Sequence, residues 1–164
     1  MKKLLLIAVS LTLVSAMSFA QQTNATATQG LNLTVLQVYK LAATGTVPAL
    51  TISDGTAGTN ALSVVSDAST SYSITHNNAA NAKISAQLNT ALTTGYVLKV
   101  KLASTKGTSS GDVDISGATA QNVVTAIGPG ADASQVITYT FDALASSGAL
   151  ASTARTVTMT LTAN

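Results

Sequence analysis

The chain has no cysteine and no tryptophan among its 164 residues, and its aromatic side chains are only four Tyr and two Phe. Without cysteine, disulfides and metal sites built from thiolates are excluded. The fold must therefore be held by an apolar core and by sheet hydrogen bonds. The few aromatic residues also argue against a membrane barrel, which needs aromatic girdles at both interfaces.

Glutamate is absent as well, and His76 is the single histidine. A triad or a general base would have to be built on His76. The one G-x-S-x-G match, GTSSG at residues 107–111, lies in a segment that we interpret as a flexible loop, not at the strand-to-helix turn of a nucleophile elbow. Paired carboxylates for hydrolysis would have to come from the six aspartates. We therefore expect no enzymatic activity, no catalytic residue and no cofactor, and we interpret His76 as a rim residue at the end of a strand.

The first 20 residues have the pattern of a cleavable signal peptide. Lys2 and Lys3 precede an apolar run from Leu4 to Val14, and Ser18-Phe19-Ala20 places small residues at the cleavage positions. The run is about half of the roughly 20 residues that a membrane anchor needs. We expect export to the periplasm, the cell surface or the medium, with no membrane insertion of the mature chain.

Removal of the signal peptide also removes two of the eight basic residues, so that six basic residues face six aspartates. The basic isoelectric point of the precursor therefore indicates nothing about its partners. Nucleic-acid binding needs clustered basic charge with aromatic side chains, and the remaining basic residues are dispersed. We expect no nucleic-acid partner.

Residues 21–30, QQTNATATQG, lack large apolar side chains and are predicted to form a flexible leader. The following segment, Leu31 to Leu41, begins with Leu31, Leu33 and Val35 on one face of an extended chain. We interpret it as the first strand, with a bulge near Leu36. Residues 31–164 are predicted to form a single domain.

Short alternating segments fill the rest of the chain, separated by turn residues such as Asp54-Gly55 and Asn77-Asn78. The clearest is YVLKVKLAS, in which Tyr96 to Leu102 alternate inward while two lysines face water. No long amphipathic helix is present. About eight to ten short strands predict an all-β fold, an antiparallel β-sandwich of Greek-key or immunoglobulin-like type, with a closed barrel as the alternative.

Asp112 and Asp114 are the only closely spaced acidic pair, in GDVDISG. Residues two apart on a strand share a face, and carboxylate oxygens suit calcium, so this pair is a candidate calcium site. The alternative is a solvent-facing pair opposite Val113, close to Lys99 or Lys101 across the sheet. We favour the alternative because calcium needs about six oxygen ligands or more.

The chain ends in TVTMTLTAN, where Val157, Met159 and Leu161 alternate with threonines. This pattern predicts a strand with an apolar face against the core and a hydroxylated face toward solvent or a neighbour. Its backbone edge is a possible assembly edge.

The signal-like start, the cysteine-free alternating strands and the terminal RTVTMTLTAN resemble secreted all-β pilin-like and spore coat U-like proteins of bacteria, although the cysteine pair usual in those proteins is missing. The resemblance implies a fimbrial-type subunit whose incomplete sandwich is completed by an extended strand of a neighbour. Here the possible donor strand contains Leu31, Leu33 and Val35. The competing interpretation is that these residues start a self-contained sandwich.

Two functional hypotheses follow. The first is an exported structural or adhesive surface protein that self-associates into an oligomer or filament, or binds another surface protein. The second is a monomeric extracellular binding domain for a glycan, calcium or a protein.

The signal peptide leads to the first testable prediction. Cleavage after Ala20 leaves Gln21 as the first residue, so the intact mass of the secreted protein should equal that of residues 21–164. Ala20→Arg, which places a large charged residue at the cleavage position, should block processing. Secreted protein that retains residues 1–20 would contradict this prediction.

Overall fold

The computed structural model describes residues 26–164. The predicted signal peptide, residues 1–20, and the first part of the leader, residues 21–25, lie outside the described residues. The chain divides into two units, Met1–Thr34 and Val35–Asn164. In the first unit, residues 26–34 have exposed side chains and no regular secondary structure.

The second unit is built from two antiparallel sheets that do not close into a barrel. The first sheet has five strands in the order β1-β2-β8-β4-β6. Their bounds are β1 Tyr39–Thr44, β2 Val65–His76, β4 Tyr96–Leu102, β6 Val113–Asp114 and β8 Gly130–Ala143. The prediction of an antiparallel β-sandwich is confirmed.

The second sheet has four strands in the order β5-β7-β3-β9. Their bounds are β3 Ala82–Leu88, β5 Thr108–Ser109, β7 Gln121–Ile127 and β9 Val157–Ala163. A single 3₁₀ turn, Ala145–Ser147, lies between β8 and β9. Within residues 26–164, no helix has the length and apolar composition needed to cross a membrane.

Because side chains alternate along a strand, every second one lies between the two sheets. In β3 the buried residues are Ala82, Ile84, Ala86 and Leu88, and the side chains between them are at least partly open to solvent. β4 contributes Val100 and Leu102 from the opposite sheet. The remaining members of the buried cluster are Tyr72, Ile74, Ile115, Val123, Val124, Ile127, Ile137 and Tyr139.

The first predicted strand is wrong over most of its length. Pairing with β2 begins at Tyr39, and residues 31–38 have no strand assignment. A short strand is also predicted where Leu50 and Ile52 alternate with Thr51 and Ser53, and the structure has no strand there. Both segments have the right alternation, but a strand also needs a neighbour to accept its backbone hydrogen bonds, which alternation alone does not provide.

Tyr72 is a central polar element of the core. Its ring is fully buried, and its hydroxyl donates to the carbonyl oxygen of Ala103 at 2.6 Å. Burial raises the pKa of Tyr72 to about 12, while the Ser104 hydroxyl lowers it and the charge of Asp132 raises it by smaller amounts. The bond connects β2 to the segment that follows β4.

This bond leads to a prediction. Tyr72→Phe keeps the ring but leaves the partly buried Ala103 carbonyl without this donor, and should lower the free energy of unfolding by about 1–3 kcal/mol. Urea unfolding followed by circular dichroism measures the change. Tyr139→Phe is the matched control, because no hydrogen bond of the Tyr139 hydroxyl is found among the described residues. Equal effects of the two substitutions would contradict the assigned role.

Candidate functional site

An open edge lies between the two sheets, where β1 faces β9. Among residues 26–164, β1 pairs only with β2 and β9 only with β3, so each has one backbone edge without a strand partner. The groove between them has a volume of about 370 Å³. It is lined by Tyr39, Leu41, Ala43, Val157, Met159, Thr160 and Leu161.

The apolar face of β9 is only partly covered. Val157, Met159 and Leu161 pack against the buried cluster, yet each remains partly exposed, whereas Ile84 and Leu88 on the adjacent β3 are fully buried. Full burial was the expectation for these three side chains. They fall short of it because no element of residues 26–164 covers the far side of β9.

Strand directions around the groove follow from the registers. Tyr39 lies opposite His76 at the end of β2, so β1 begins at what we call the His76 end of the sandwich. β3 begins shortly after β2 ends, and Ala82 lies opposite Ala163. β9 therefore ends at the His76 end, and β1 and β9 run in opposite directions along the groove.

The proposed donor residues are highly exposed. Leu31, Leu33 and Val35 have 77%, 83% and 85% of their surface exposed, and Leu36 has 76%. Exposed single apolar residues are common, but a row of large ones on consecutive alternate positions is a typical mark of a contact surface. The sequence prediction that these residues form an extended apolar row remains compatible with their conformation.

Asn77 holds the segment directly before β1. Its side-chain oxygen accepts from the backbone N–H of Val38 at 2.7 Å, and its side-chain nitrogen donates to the carbonyl oxygen of Leu36 at 2.8 Å. Its backbone N–H donates to the carbonyl oxygen of Val38 at 3.3 Å. The segment 36–38 is thus held by the side chain and backbone of one residue, directly after β2.

The acidic pair lies on the solvent side of β6. Asp112 and Asp114 are exposed, and Asp114 accepts from the backbone N–H of Ser116 at 2.8 Å. Asp114 lies opposite Lys99 of β4, as the alternative to the calcium site predicted. No group of three or more His, Cys, Asp or Glu side chains in the described part of the chain could hold a metal ion.

A second cleft, of about 470 Å³, lies on the outer face of the first sheet. Its floor carries the ion pair between Lys99 Nζ and Asp142 Oδ2 at 3.0 Å. The hydrogen bond and charge of Asp142 raise the pKa of Lys99, with smaller contributions from Asp112 and Asp114. The walls are mainly aliphatic and contain no aromatic ring, so the cleft has no platform for a sugar.

His76 ends β2, as predicted, but it is buried and does not lie on the rim. Its Nε2 lies 2.8 Å from the carbonyl oxygen of Gly128, so this nitrogen carries the proton and donates. The ring stacks on Tyr39 with an angle of 6° between the planes and 5.9 Å between the centroids. A His in this position packs β1 onto the sheet, and its surroundings do not provide the partners of a general base.

Asp132 forms a polar cluster that the sequence did not indicate. The carboxylate is buried and accepts from the hydroxyls of Ser104 and Thr105 at 2.9 and 2.7 Å, and from the backbone N–H of Thr105 at 2.9 Å. Burial raises its pKa, but these bonds and the N–H of Lys106 lower it, and the pKa lies below its ordinary value. An acid surrounded by donors stabilises a turn and cannot act as a proton donor at neutral pH.

The same turn packs closely on the second sheet. A Cβ at Gly107 would lie 2.7 Å from the side chain of Ile127 and 2.8 Å from the carbonyl oxygen of Thr125. Only glycine therefore lets the turn approach β7. No spacing rule in the sequence connects Asp132 to a turn more than 20 residues earlier, which explains why sequence reasoning missed it.

Comparisons with known proteins add no relative to this description. A scan against protein-family models finds no matching family, and searches of curated proteins and of solved structures find no match. The functional inference therefore depends on the geometry of this chain.

Asp132 leads to a pH prediction. Because its pKa is lower folded than unfolded, its contribution is complete above the ordinary carboxyl pKa of about 4 and is lost as the pH falls further. Asp132→Asn should cost roughly 1–3 kcal/mol at neutral pH, since an amide cannot accept all of the bonds. It should also flatten the loss of stability below pH 4.

Urea unfolding at several pH values measures both effects. Asp54→Asn is the matched control, because Asp54 is exposed and, among the described residues, its carboxylate accepts only from the adjacent Gly55 N–H. A variant as stable as the parent at neutral pH and equally sensitive to acid would contradict the assignment.

Proposed function

We propose that this chain is an exported, non-enzymatic structural or adhesive surface protein whose subunits assemble by β-strand complementation. The observation that carries the proposal is the β9 edge, which has an unpaired backbone and a partly covered apolar face beside the groove. A filament or other homo-oligomer at the cell surface is the expected form.

An edge of this kind is unusual for a monomer. Monomeric sheet proteins protect their edges with very short strands, charged side chains, proline or bulges. The opposite edges of both sheets follow this rule, because β5 and β6 each have two residues. β9 has seven residues with no charge and no proline, and its pairing with β3 is free of bulges.

The donor supplies what the groove lacks. An extended strand beside β9 would satisfy its free N–H and C=O groups, and alternate side chains would enter the groove. Burial of each of Leu31, Leu33 and Val35 contributes about 1.5–3 kcal/mol. The sum is offset by the cost of association and of ordering the leader, so the loss of any one of the three side chains should weaken assembly.

The polar groups in the core favour a structural role over a catalytic one. His76 packs against Tyr39 and donates to a carbonyl group, and the Asp132 carboxylate is enclosed by donors. Each of these potential catalytic groups is already engaged in maintaining the fold. The signal-like start supports export, which suits a surface subunit.

The proposal predicts that two neighbouring substitutions differ strongly in their effect on assembly. Leu33→Glu places a charge in the groove and should weaken assembly by about tenfold or more. Thr34→Glu adds the same charge to the outward face of the donor and should have little effect. Deletion of residues 21–35 should abolish assembly while the remaining chain keeps its sheet content.

Light scattering and electron microscopy of the mature protein measure assembly, and circular dichroism checks the fold. A mature protein that stays monomeric at all concentrations, with or without residues 21–35, would overturn the proposal. Equal loss of assembly in Leu33→Glu and Thr34→Glu would show that the donor side chains do not enter the groove.

A further inference from the structure

Two sources of a complementing strand fit the groove between β1 and β9. The leader of the same chain could fold back beside its own β1, or the leader of a second copy could enter. A leader that folds back in a hairpin with its own β1 must run parallel to β9, because β1 starts at the His76 end and β9 finishes there. The leader of a second copy is free to run antiparallel to β9.

Folding back requires a reversal directly before β1. The leader would have to run toward the His76 end and turn within residues 35–38. That stretch is Val-Leu-Gln-Val, which contains none of the Gly, Asn, Asp or Pro residues that tight turns use. Residues 36 and 38 are also held by Asn77, which leaves little freedom to form a loop.

Resting on the proposed function, we propose that the groove takes residues 29–35 of a second copy, running antiparallel to β9. Every strand pair in the described sheets is antiparallel, and the added strand continues this pattern on β9 while it runs parallel to β1. We place the pairing on β9 because its edge has no charged residue, whereas β1 contains Lys40.

The lengths and the alternation agree with one register. Gln29 to Val35 are seven residues, as are Val157 to Ala163 of β9. In this register Leu31 lies opposite Leu161, Leu33 opposite Met159 and Val35 opposite Val157. All three donor side chains then face the groove, and Asn32 and Thr34 lie outside it opposite Thr160 and Thr158.

This direction determines the type of assembly. The donor strand leaves its acceptor at the Val157 end and continues, after the three residues 36–38, into its own β1. That strand starts at the His76 end of the donor, so the His76 end of each copy meets the Val157 end of the next. Unless the rotation between copies closes a ring, such a head-to-tail contact leaves one groove and one leader free at the ends and grows as an open, polar filament.

Cysteine pairs test the direction, because the parent chain has no cysteine. Two mature chains carry N32C with T160C, or T34C with T158C, which are the neighbours in the antiparallel register. Two others carry N32C with T158C, or T34C with T160C, which are the neighbours if the donor runs parallel to β9. All four positions are exposed threonines or an asparagine. L33C with M159C pairs in either direction.

Oxidation followed by non-reducing electrophoresis gives the result. We expect L33C with M159C and both antiparallel pairs to form a ladder of covalent multimers longer than dimers, and neither parallel pair to do so. A ladder from both parallel pairs, a single dimer band, or an internal crosslink within one chain would overturn this inference. The proposal that a leader strand fills the groove would remain. Absence of any crosslink between chains from all five pairs, in proteins that are folded, would instead overturn the proposed function.

Discussion

The backbone edge of β9 is the constraint on which the rest depends. A sheet edge of seven uncharged residues has N–H and C=O groups that need partners, and its inward side chains need cover. Both needs are met on the β3 side, and neither is met on the β1 side by residues 26–164. On one side of the sandwich the edge strands β5 and β6 are too short to pair with a neighbouring molecule, and on the other side the β9 edge is open. Only one side of the sandwich can therefore accept an added strand.

Charged and hydrogen-bonding side chains serve the fold. Asp132 organises the turn after β4, Tyr72 connects that region to β2, and His76 supports the strand that forms one wall of the groove. With no disulfide, such buried bonds and the apolar cluster carry the stability. The stacking of His76 on Tyr39 supports the β1 wall of the groove, which favours binding of an extended strand without reorganisation.

Alternation in the sequence predicted the all-β class and most of the strands. The segments around Tyr96, Ile84 and Val157 alternate with period two, and each forms a strand. The same signal was wrong for Leu31 to Val38, because alternation reports which faces are apolar and not whether a partner strand exists. The wrongly predicted strand includes the donor residues, for which we propose a partner strand in another copy.

By itself, the sequence determined the fold class, the absence of disulfides and the apolar rows on the leader and on β9, because these depend on composition and local spacing. Only the tertiary structure decided which edges stay open, that β1 and β9 run in opposite directions, and that Asp132 meets the turn at Ser104. These features join residues distant along the chain. Local periodicity contains no information about which distant segments pair, so they required the folded chain.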